Sequence, residues 1–309
     1  THASMLAGVQ MVLLTGILAL QRWAQRLVQR QSGEISTLPS LQPKRQPVKT
    51  AFFLFYLAGS LLFFFLPLFF ILFRSFKKRG MPDGVWTLEN YRHLFGASFR
   101  FTVGRGLGTV VGTSLALAIT VGLVTMVLAY VLARQRRQKP WGRIDLWLQL
   151  PMGISFLTFA FGLLKLVGHA LPPALLIIWA QVFLAFPLVY ALLRTARREW
   201  GEEMIEAAQC LGASGWELFR TVELPLMRKA LSSAFAYGAA LSLGDLSAVL
   251  VLGQGKVITL AVAVYRLIGH YNFPQAIALG TLFMLLAVVL FSLVEGGYRG
   301  KGTGGRWGE

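Results

Sequence analysis

The sequence predicts an all-α fold, a polytopic bundle of transmembrane helices, and three observations predict it. Of the 309 residues, 55% are hydrophobic and only 14% are charged, and the mean hydropathy of +0.60 lies outside the usual range of soluble proteins. Several apolar windows reach the roughly 20 residues that a helix needs to cross a bilayer core of about 30 Å. Basic residues gather at the ends of these windows, as they do beside membrane spans.

Seven apolar windows are predicted to cross the membrane. In chain order they cover residues 5–20, 51–73, 106–133, 144–167, 171–193, 231–252 and 276–294. The first is short and contains Gln10, and a secretory signal peptide is the competing interpretation. Its basic residues, Arg22, Arg26 and Arg30, follow the apolar run, which favours a stop-transfer flank. Together with this flank, the start at Thr1 favours a fragment or processed product whose natural N-terminus lies upstream, although an artificially chosen boundary would look the same.

The distribution of basic residues predicts which loops face the cytoplasm. The connections between the third and fourth windows and between the fifth and sixth are rich in arginine and lysine, and such loops stay inside. Alternation then places residues 21–50 and the tail 297–309 inside as well. Residues 74–105 must lie outside, although this loop also carries basic residues. The cytoplasmic loops still hold the larger basic total, which favours this topology.

Composition excludes several functional classes. The net charge of +17 does not indicate nucleic-acid binding, because no basic stripe with interleaved aromatics lies on a soluble domain. The single Cys210 cannot form an intramolecular disulfide, and the four histidines are too scattered for a metal cluster. A membrane enzyme would need His, Asp or Glu side chains clustered at one depth. We therefore expect no metal, no cofactor and no catalytic residue.

One polar segment, residues 200–226, interrupts the apolar pattern between the fifth and sixth windows. Residues 200–211 are predicted to form a short helix that Gly212 ends in a left-handed conformation. Ser214 and Glu217 then match a capping box at the start of a second short helix, which Pro225 ends. The result is a helix-turn-helix knob, called the coupling knob below, on the cytoplasmic face. It is best explained as a plug for a partner's groove, and an interfacial linker is the alternative.

The residues of the coupling knob carry a resemblance to a known family. The chain has Glu206, Ala207 and Ala208, then Gly212 after three residues, then Val222, Glu223, Leu224 and Pro225 after nine more. This pattern resembles the EAA signature of ABC importer permeases, in which isoleucine usually stands at the place of Val222. The resemblance implies the type I ABC importer permease fold, with about seven spans here, in a bacterial inner membrane. It also implies that the knob docks into a cleft of a separate ATP-hydrolysing subunit.

The resemblance also assigns residues to this contact with the ATPase. They are Glu206, Ala207, Ala208, Gly212, Ser214, Trp216, Glu217, Val222, Leu224 and Pro225. No G-x-x-x-x-G-K-[ST] phosphate loop occurs, since the nearest string, residues 253–257, lacks both the spacing and the hydroxyl residue. The chain is therefore predicted not to hydrolyse ATP, and a partner ATPase would rock one permease half against the other. A secondary transporter, the other class considered, should show inverted repeats or a polar lining.

A second resemblance, to the C-terminal half of fused thiamine importer permeases, covers roughly residues 105–296. It rests on LSLGDLSAVLVLGQGKVITLAVAVYRLIGHYNF at 241–273 and on GASGWELFRTVELP upstream. It implies that residues 1–20 are the last helix of a preceding permease half, 21–50 a cytoplasmic linker and 51–296 the permease domain. Ferric-iron importer permeases share much of the pattern and are the alternative. The implied partners are a second permease half, an ABC ATPase, a soluble substrate-binding protein outside the membrane, and lipid.

Asp245 is a candidate for the translocation pathway. It is the only carboxylate well inside a predicted window, and a charge there is costly unless it faces a cavity or a partner. Two interpretations remain open for it. It is an anionic waypoint for a cationic solute such as thiamine, or it is a structural carboxylate that hydrogen-bonds Ser242 or Ser247 or lies near the external water.

Two tyrosines are candidates for contacts outside the membrane. Residues 257–268 are apolar but too short to cross the bilayer, which predicts an interfacial or re-entrant external helix. Tyr265 and Tyr271 in this region would contact an aromatic ligand or the soluble binding protein. They would otherwise be ordinary interface aromatics.

Overall fold

The computed structural model describes residues 47–77, 86–135, 147–168, 170–199 and 202–296. The regular elements in these ranges are helices, together with one isolated β-bridge between Lys77 and Trp86. The chain divides into two compact units between Asn90 and Tyr91. The predicted window 5–20, the tail 297–309 and most of the predicted linker 21–50 lie outside the described residues.

Helix α1, Pro47–Ser75, dominates the first unit. Proline suits the first turn of a helix, because an N–H at that position would have no partner within the helix. The stretch Phe52–Ser75 reaches a mean hydropathy of 2.3, and its side chains are exposed along most of its length. An apolar surface of this kind requires lipid or another apolar helix around it. After the helix, the side-chain amide of Asn90 donates to the Ser75 carbonyl at 2.9 Å.

The remaining helices follow in chain order. They are α2 Glu89–His93, α3 Ala97–Val103, α4 Leu107–Gln135, α5 Phe156–Val167, α6 Pro173–Glu199, α7 Glu202–Cys210, α8 Gly215–Leu218, α9 Leu224–Gly244, α10 Ser247–Leu252, α11 Leu260–Gly269 and α12 Phe273–Gly296. Helices α4, α6 and α9 pack against one another at the centre of the second unit. A Cβ atom on Gly238 of α9 would lie only 3.0 Å from the Cα atom of Gly122 in α4. The two backbones cross closely there, as small residues allow in membrane bundles.

Two apolar clusters lie toward opposite ends of this three-helix group. One contains the start of α4, including Val110, with the start of α6, α10, α11 and the start of α12. The other contains the ends of α4 and α6, including Tyr190, and the start of α9. Phe219 packs against this second cluster. The coupling knob therefore adjoins the end of the bundle where α4 and α6 finish and α9 begins.

Four helices within the described ranges are long and apolar enough to cross a bilayer. They are Phe52–Ser75, Leu107–Gln135, Pro173–Arg197 and Phe273–Ser292. A fifth crossing results if the pair Trp147–Gly153 and Phe156–Val167 is counted as one span. That pair bends by 105°, so the described part of the predicted window 144–167 is a broken helix and not a continuous one. Pro151 lies in the 3₁₀ turn Leu150–Gly153 that precedes the bend, where its missing N–H and its ring disfavour a continuous α-helix.

The predicted helix over residues 231–252 is also interrupted. Helix α9 ends at Gly244 and α10 begins at Ser247. Asp245 therefore lies at a helix break and not inside a continuous span. The break has a local cause, because the Asp245 carboxylate accepts the N–H of Ala248 at 3.1 Å, which caps the new helix. A short helix is present in the predicted region 257–268 as α11, Leu260–Gly269, and its interfacial or re-entrant external position stays a prediction.

Candidate functional site

The predicted helix-turn-helix is present as α7, a turn and α8. Gly212 has a φ of +89°, a left-handed conformation that glycine adopts without a Cβ clash. The N–H of Gly212 donates to the Gln209 carbonyl at 2.9 Å, and that of Ala213 donates to the Ala208 carbonyl at 3.0 Å. These two bonds form a Schellman motif. Gly212 therefore ends α7 in the way that the sequence predicts.

The capping box predicted at Ser214 is not formed. Ser214 has the extended conformation of an N-cap residue, but its hydroxyl makes no capping hydrogen bond. Its backbone carbonyl accepts the N–H of Glu217 at 3.2 Å. A capping box requires helical backbone angles directly after the cap, and Gly215 has a φ of +54° instead. The turn is therefore shaped by Gly215 and not by the serine side chain.

The second short helix does not end at Pro225, contrary to the prediction. Helix α8 continues through a π-helical turn, Phe219–Glu223, directly into α9. The Leu224 N–H donates to the Phe219 carbonyl, five residues earlier. In a regular α-helix the proline ring would clash with the carbonyl four residues before it. The wider π turn relieves this clash, so the knob and α9 form one continuous helical path.

The coupling knob exposes large apolar side chains beside charged ones. Met204, Leu211 and Trp216 are 58%, 89% and 71% exposed. The exposed residues of the predicted ATPase contact are Glu206, Ala207, Gly212, Ser214, Trp216, Glu217, Leu224 and Pro225, whereas Ala208 and Val222 are half-buried. Exposed apolar groups rimmed by polar residues mark protein contact surfaces.

Sequence reasoning assigned no contacts to Glu223, which stands between Val222 and Leu224 in the signature. The residue is 3% exposed, and its Oε2 accepts a hydrogen bond of 2.6 Å from the Tyr130 hydroxyl. Arg197 Nη2 lies 3.1 Å from Oε1, and Arg134 Nε lies 3.3 Å from Oε2. Buried carboxylates need such partners, and the arginine-rich end of the fifth predicted window was the available signal. Both oxygens of Glu223 are therefore paired by groups on α4 and α6.

Asp245 belongs to a buried chain of hydrogen bonds with Gln181 of α6. Gln181 Nε2 donates to Asp245 Oδ2 at 2.9 Å, and Ser242 Oγ donates to Gln181 Oε1 at 2.7 Å. The Ser242 hydroxyl thus meets the amide and not the carboxylate. Gln181 was the missed signal, because a polar residue within a predicted span needs an internal partner. Asp245 is 8% exposed, and its role as a waypoint for solute stays a prediction.

Tyr265 and Tyr271 lie on α11 and just after it, and both are exposed. Their exposed fractions are 50% and 75%. Tyr271 has a φ of +57°, and its ring meets that of Phe273 edge-on at a centroid distance of 6.2 Å. Helix α11 is anchored by Arg266, whose Nη1 donates to the Val103 carbonyl at 2.6 Å. Exposure leaves both rings available for a ligand or a binding protein, and that role stays a prediction.

Metal-ligating residues are dispersed in the part of the chain that the structure describes. No group of three or more His, Cys, Asp or Glu side chains there could hold a metal ion. Cys210 is exposed at the end of α7. The two buried carboxylates described above, Glu223 and Asp245, instead engage neighbouring side chains.

Relatives of known sequence are transport permeases. Residues 125–296 match the family model of the binding-protein-dependent transport system inner membrane component. The thiamine transport system permease protein ThiP of Salmonella typhimurium is 28% identical over 200 residues, which cover 61% of this chain and 37% of that protein. The Probable sulfate transport system permease protein cysT of Chlorella vulgaris is 27% identical over 197 residues, covering 58% of this chain and 73% of that protein. The aligned region thus spans little more than a third of the Salmonella thiamine permease.

A solved structure shares the fold. The crystal structure of a bacterial ABC transporter involved in the import of the acidic polysaccharide alginate superposes with a TM-score of 0.64 at 14% identity, covering 82% of this chain and 97% of that chain. At this identity the similarity shows the fold alone. The family match, by contrast, covers more than half of the chain and includes the coupling knob and Asp245. The chain belongs to the family of binding-protein-dependent transport system inner membrane components, the multi-pass inner-membrane permeases of ABC importers.

Proposed function

We propose that this chain forms one half of the translocation pathway of an ATP-driven importer, and that a separate subunit docked on the coupling knob hydrolyses the ATP. The observation that carries the proposal is the exposure of Met204, Leu211 and Trp216 in a segment whose sequence resembles the EAA signature. Large apolar side chains on a polar knob favour a protein groove over water. Glu206 and Glu217, exposed on the same knob, would meet polar groups at the rim of that groove.

The path from the knob to the membrane helices supports this role. Helix α8, the π turn and α9 are continuous, so a displacement of the knob reaches α9 without crossing a loop. Closure of the ATPase would move the knob, and α9 would carry this motion into the bundle. Rigid-body movement of packed helices is a common form of switching between two states, and here it would open the pathway alternately to each side.

The proposed partners follow from the remaining surfaces. A second permease half would complete a pathway with twofold pseudosymmetry, with residues 1–20 as its last helix and 21–50 as the cytoplasmic linker between the halves. A soluble binding protein would deliver the solute near Tyr265 and Tyr271. The alginate transporter has been crystallised in complex with an alginate pentasaccharide-bound periplasmic protein, which supports a partner of this class.

Thiamine is the solute that we propose. Thiamine permeases of Salmonella typhimurium and Escherichia coli align with this chain at 28% and 26% identity, and a carboxylate such as Asp245 would favour a cation. The relative from Chlorella vulgaris, at 27% identity, favours sulfate as a second candidate. Ferric iron, suggested by the sequence pattern, is a third. Thiamine and sulfate carry opposite charges, so competition experiments separate them clearly.

The test is solute uptake by cells that produce the protein with its natural partners. ATP-dependent uptake of labelled thiamine, insensitive to excess ferric iron and sulfate, is expected. Glu206→Lys should abolish this uptake while the protein remains in the membrane, whereas Lys165→Gln, at an exposed position of α5, should not change it. ATP-dependent uptake of iron or sulfate in place of thiamine would support the permease function and refute the assignment of thiamine as the solute. Normal transport by the Glu206→Lys protein would refute docking through the knob.

A further inference from the structure

Glu223 joins the coupling knob to two other helices. It is the last residue of the π turn through which the knob enters α9. Its side-chain partners all lie elsewhere, with Tyr130 and Arg134 near the end of α4 and Arg197 near the end of α6. The side chains of Arg197 and Glu223 are only 7% and 3% exposed. The point at which the coupling knob continues into α9, called the exit of the knob below, is thus held to the ends of α4 and α6 by a buried, ion-paired carboxylate.

A series of aromatic rings connects this carboxylate to the surface of the knob. The exposed Trp216 ring lies 5.1 Å from that of Phe219, and the Phe219 ring lies 5.8 Å from that of Tyr130, measured between centroids. The guanidinium carbon of Arg197 lies 5.8 Å from the centroid of Tyr130. Neighbouring side chains therefore lead without a gap from the proposed ATPase-facing surface to Glu223.

The π turn makes a lateral contact of this kind, from Glu223 to α4 and α6, necessary. Its hydrogen bonds follow the irregular five-residue spacing, and irregular turns of this kind are places where a helix can bend. Without a lateral contact, a force on the knob could be absorbed by bending at Phe219–Glu223. Separating Glu223 from its partners would leave a buried charge without compensation, which is strongly unfavourable. The carboxylate therefore opposes bending at the place where bending would be easiest.

We infer that Glu223 is a positioning residue for energy coupling: by holding the exit of the knob to Tyr130, Arg134 and Arg197, it makes the knob, α4, α6 and α9 move as one body. This inference rests on the proposed function, since it describes how the ATPase-facing knob transmits its displacement. Glu223 itself contacts neither ATP nor solute in this scheme. Its removal should uncouple ATP hydrolysis from transport while leaving the docking surface intact.

Glu223→Gln tests the inference, because glutamine preserves the size of the side chain and removes its charge. Membrane vesicles containing the protein with its native ATPase and binding protein should retain the bound ATPase and continue to hydrolyse ATP. The amount of solute transported per ATP hydrolysed should fall by about tenfold or more, as loss of a buried ion pair permits. This ratio is the informative quantity, since incomplete folding lowers transport and hydrolysis together. Thr221→Ala, at an exposed position of the same π turn, is the matched control and should leave the ratio unchanged.

Two results would overturn the inference: an unchanged ratio in the Glu223→Gln protein, or loss of ATPase binding, which would make Glu223 part of the docking surface. If the Glu223→Gln protein does not reach the membrane, Tyr130→Phe decides instead. That variant keeps the aromatic ring beside Phe219 and removes the hydroxyl that donates to Glu223. Its ratio should fall in the same direction, and an unchanged ratio would overturn the inference.

A distance measurement separates this inference from the proposed function. Cys210 is the single cysteine of the chain and is exposed, so spin labels at Cys210 and at Gln135→Cys, the exposed last residue of α4, report the position of the knob relative to α4. One narrow distance distribution is expected with Glu223 and a broader one with Glu223→Gln, and equal widths would overturn the inference. If no ATP-driven uptake of any solute is found, the proposed function fails, and the two distributions still decide whether Glu223 holds the knob.

Discussion

The side-chain amide of Gln181 on α6 donates a hydrogen bond of 2.9 Å to the carboxylate of Asp245, at the break between α9 and α10. The two residues are 2% and 8% exposed. Polar groups buried among apolar side chains are costly unless they pair. The contact therefore fixes the position at which α9 stops against α6.

Gln181→Leu should destabilise the protein through this contact. The change leaves the Asp245 carboxylate and the Ser242 hydroxyl without their common partner, and an unsatisfied buried group costs about 1–3 kcal/mol. The expected result is a lower midpoint of thermal unfolding for the purified protein in detergent. Asp245→Asn, which retains an oxygen that accepts from Gln181, should lower the midpoint less. A Gln181→Leu protein as stable as the wild type would contradict this account of the helix break.

Asp245→Asn also tests the proposed choice of solute. Loss of one ionic contact of about 1.5 kcal/mol corresponds to roughly a tenfold loss of affinity. We expect the concentration of thiamine that gives half-maximal uptake to rise by about that factor, with little change in the amount of protein in the membrane. An unchanged concentration would restrict Asp245 to its structural contacts with Gln181 and Ala248.

Gly238→Ala should disturb the crossing of α4 and α9. The added Cβ would lie 3.0 Å from the Cα atom of Gly122, and overpacking of this kind costs about 1–3 kcal/mol. Gly108→Ala is the matched control on α4, because a Cβ there meets nothing within 4 Å and alanine favours the helix by up to about 1 kcal/mol. The midpoint of thermal unfolding should therefore fall in the Gly238→Ala protein and rise slightly in the Gly108→Ala protein. A shift of the same sign and size in both variants would contradict the close crossing.

Leu211→Ser should weaken the proposed association with an ATPase subunit without destabilising the chain. Leu211 is 89% exposed, so its removal costs the isolated protein little, whereas truncation of a central contact residue costs about 2 kcal/mol or more in binding. Co-purification of the ATPase with the variant measures the effect. Phe101→Ser on α3, at a position that is 93% exposed, is the control and should retain the ATPase. Equal retention in both variants would contradict docking through Leu211.

The helix-turn-helix order of the coupling knob and the end of α7 at Gly212 could be predicted from sequence because their determinants are local. Helix α7 ends at Gly212, whose N–H donates to the Gln209 carbonyl, while the Ala213 N–H donates to the Ala208 carbonyl. These four residues lie close together in the sequence. The prediction that Pro225 ends the second helix was wrong for an equally local reason. The π turn Phe219–Glu223 accommodates the proline ring, and the sequence pattern alone does not distinguish a π turn from a helix end.

The contacts that organise the bundle could not be predicted in the same way. Tyr130 and Glu223 are 93 positions apart, and Gln181 and Ser242 are 61 positions apart. Hydrophobic periodicity identifies which segments are helical but does not say which faces meet. Buried polar residues carry the missing information, since each must find a partner. The sequence indicates that Gln181 needs a hydrogen-bonding partner, but it does not indicate which residue that partner is.

The π turn at Phe219–Glu223 also sets the angular phase of all of α9. One inserted residue rotates everything that follows in a helix by about 100°. A regular turn in its place would swing Gly238 away from Gly122 and present a different side of α9 to α4. A deletion of one residue within this turn is therefore equivalent to exchanging one whole helical face for another, although every side chain of α9 would be unchanged.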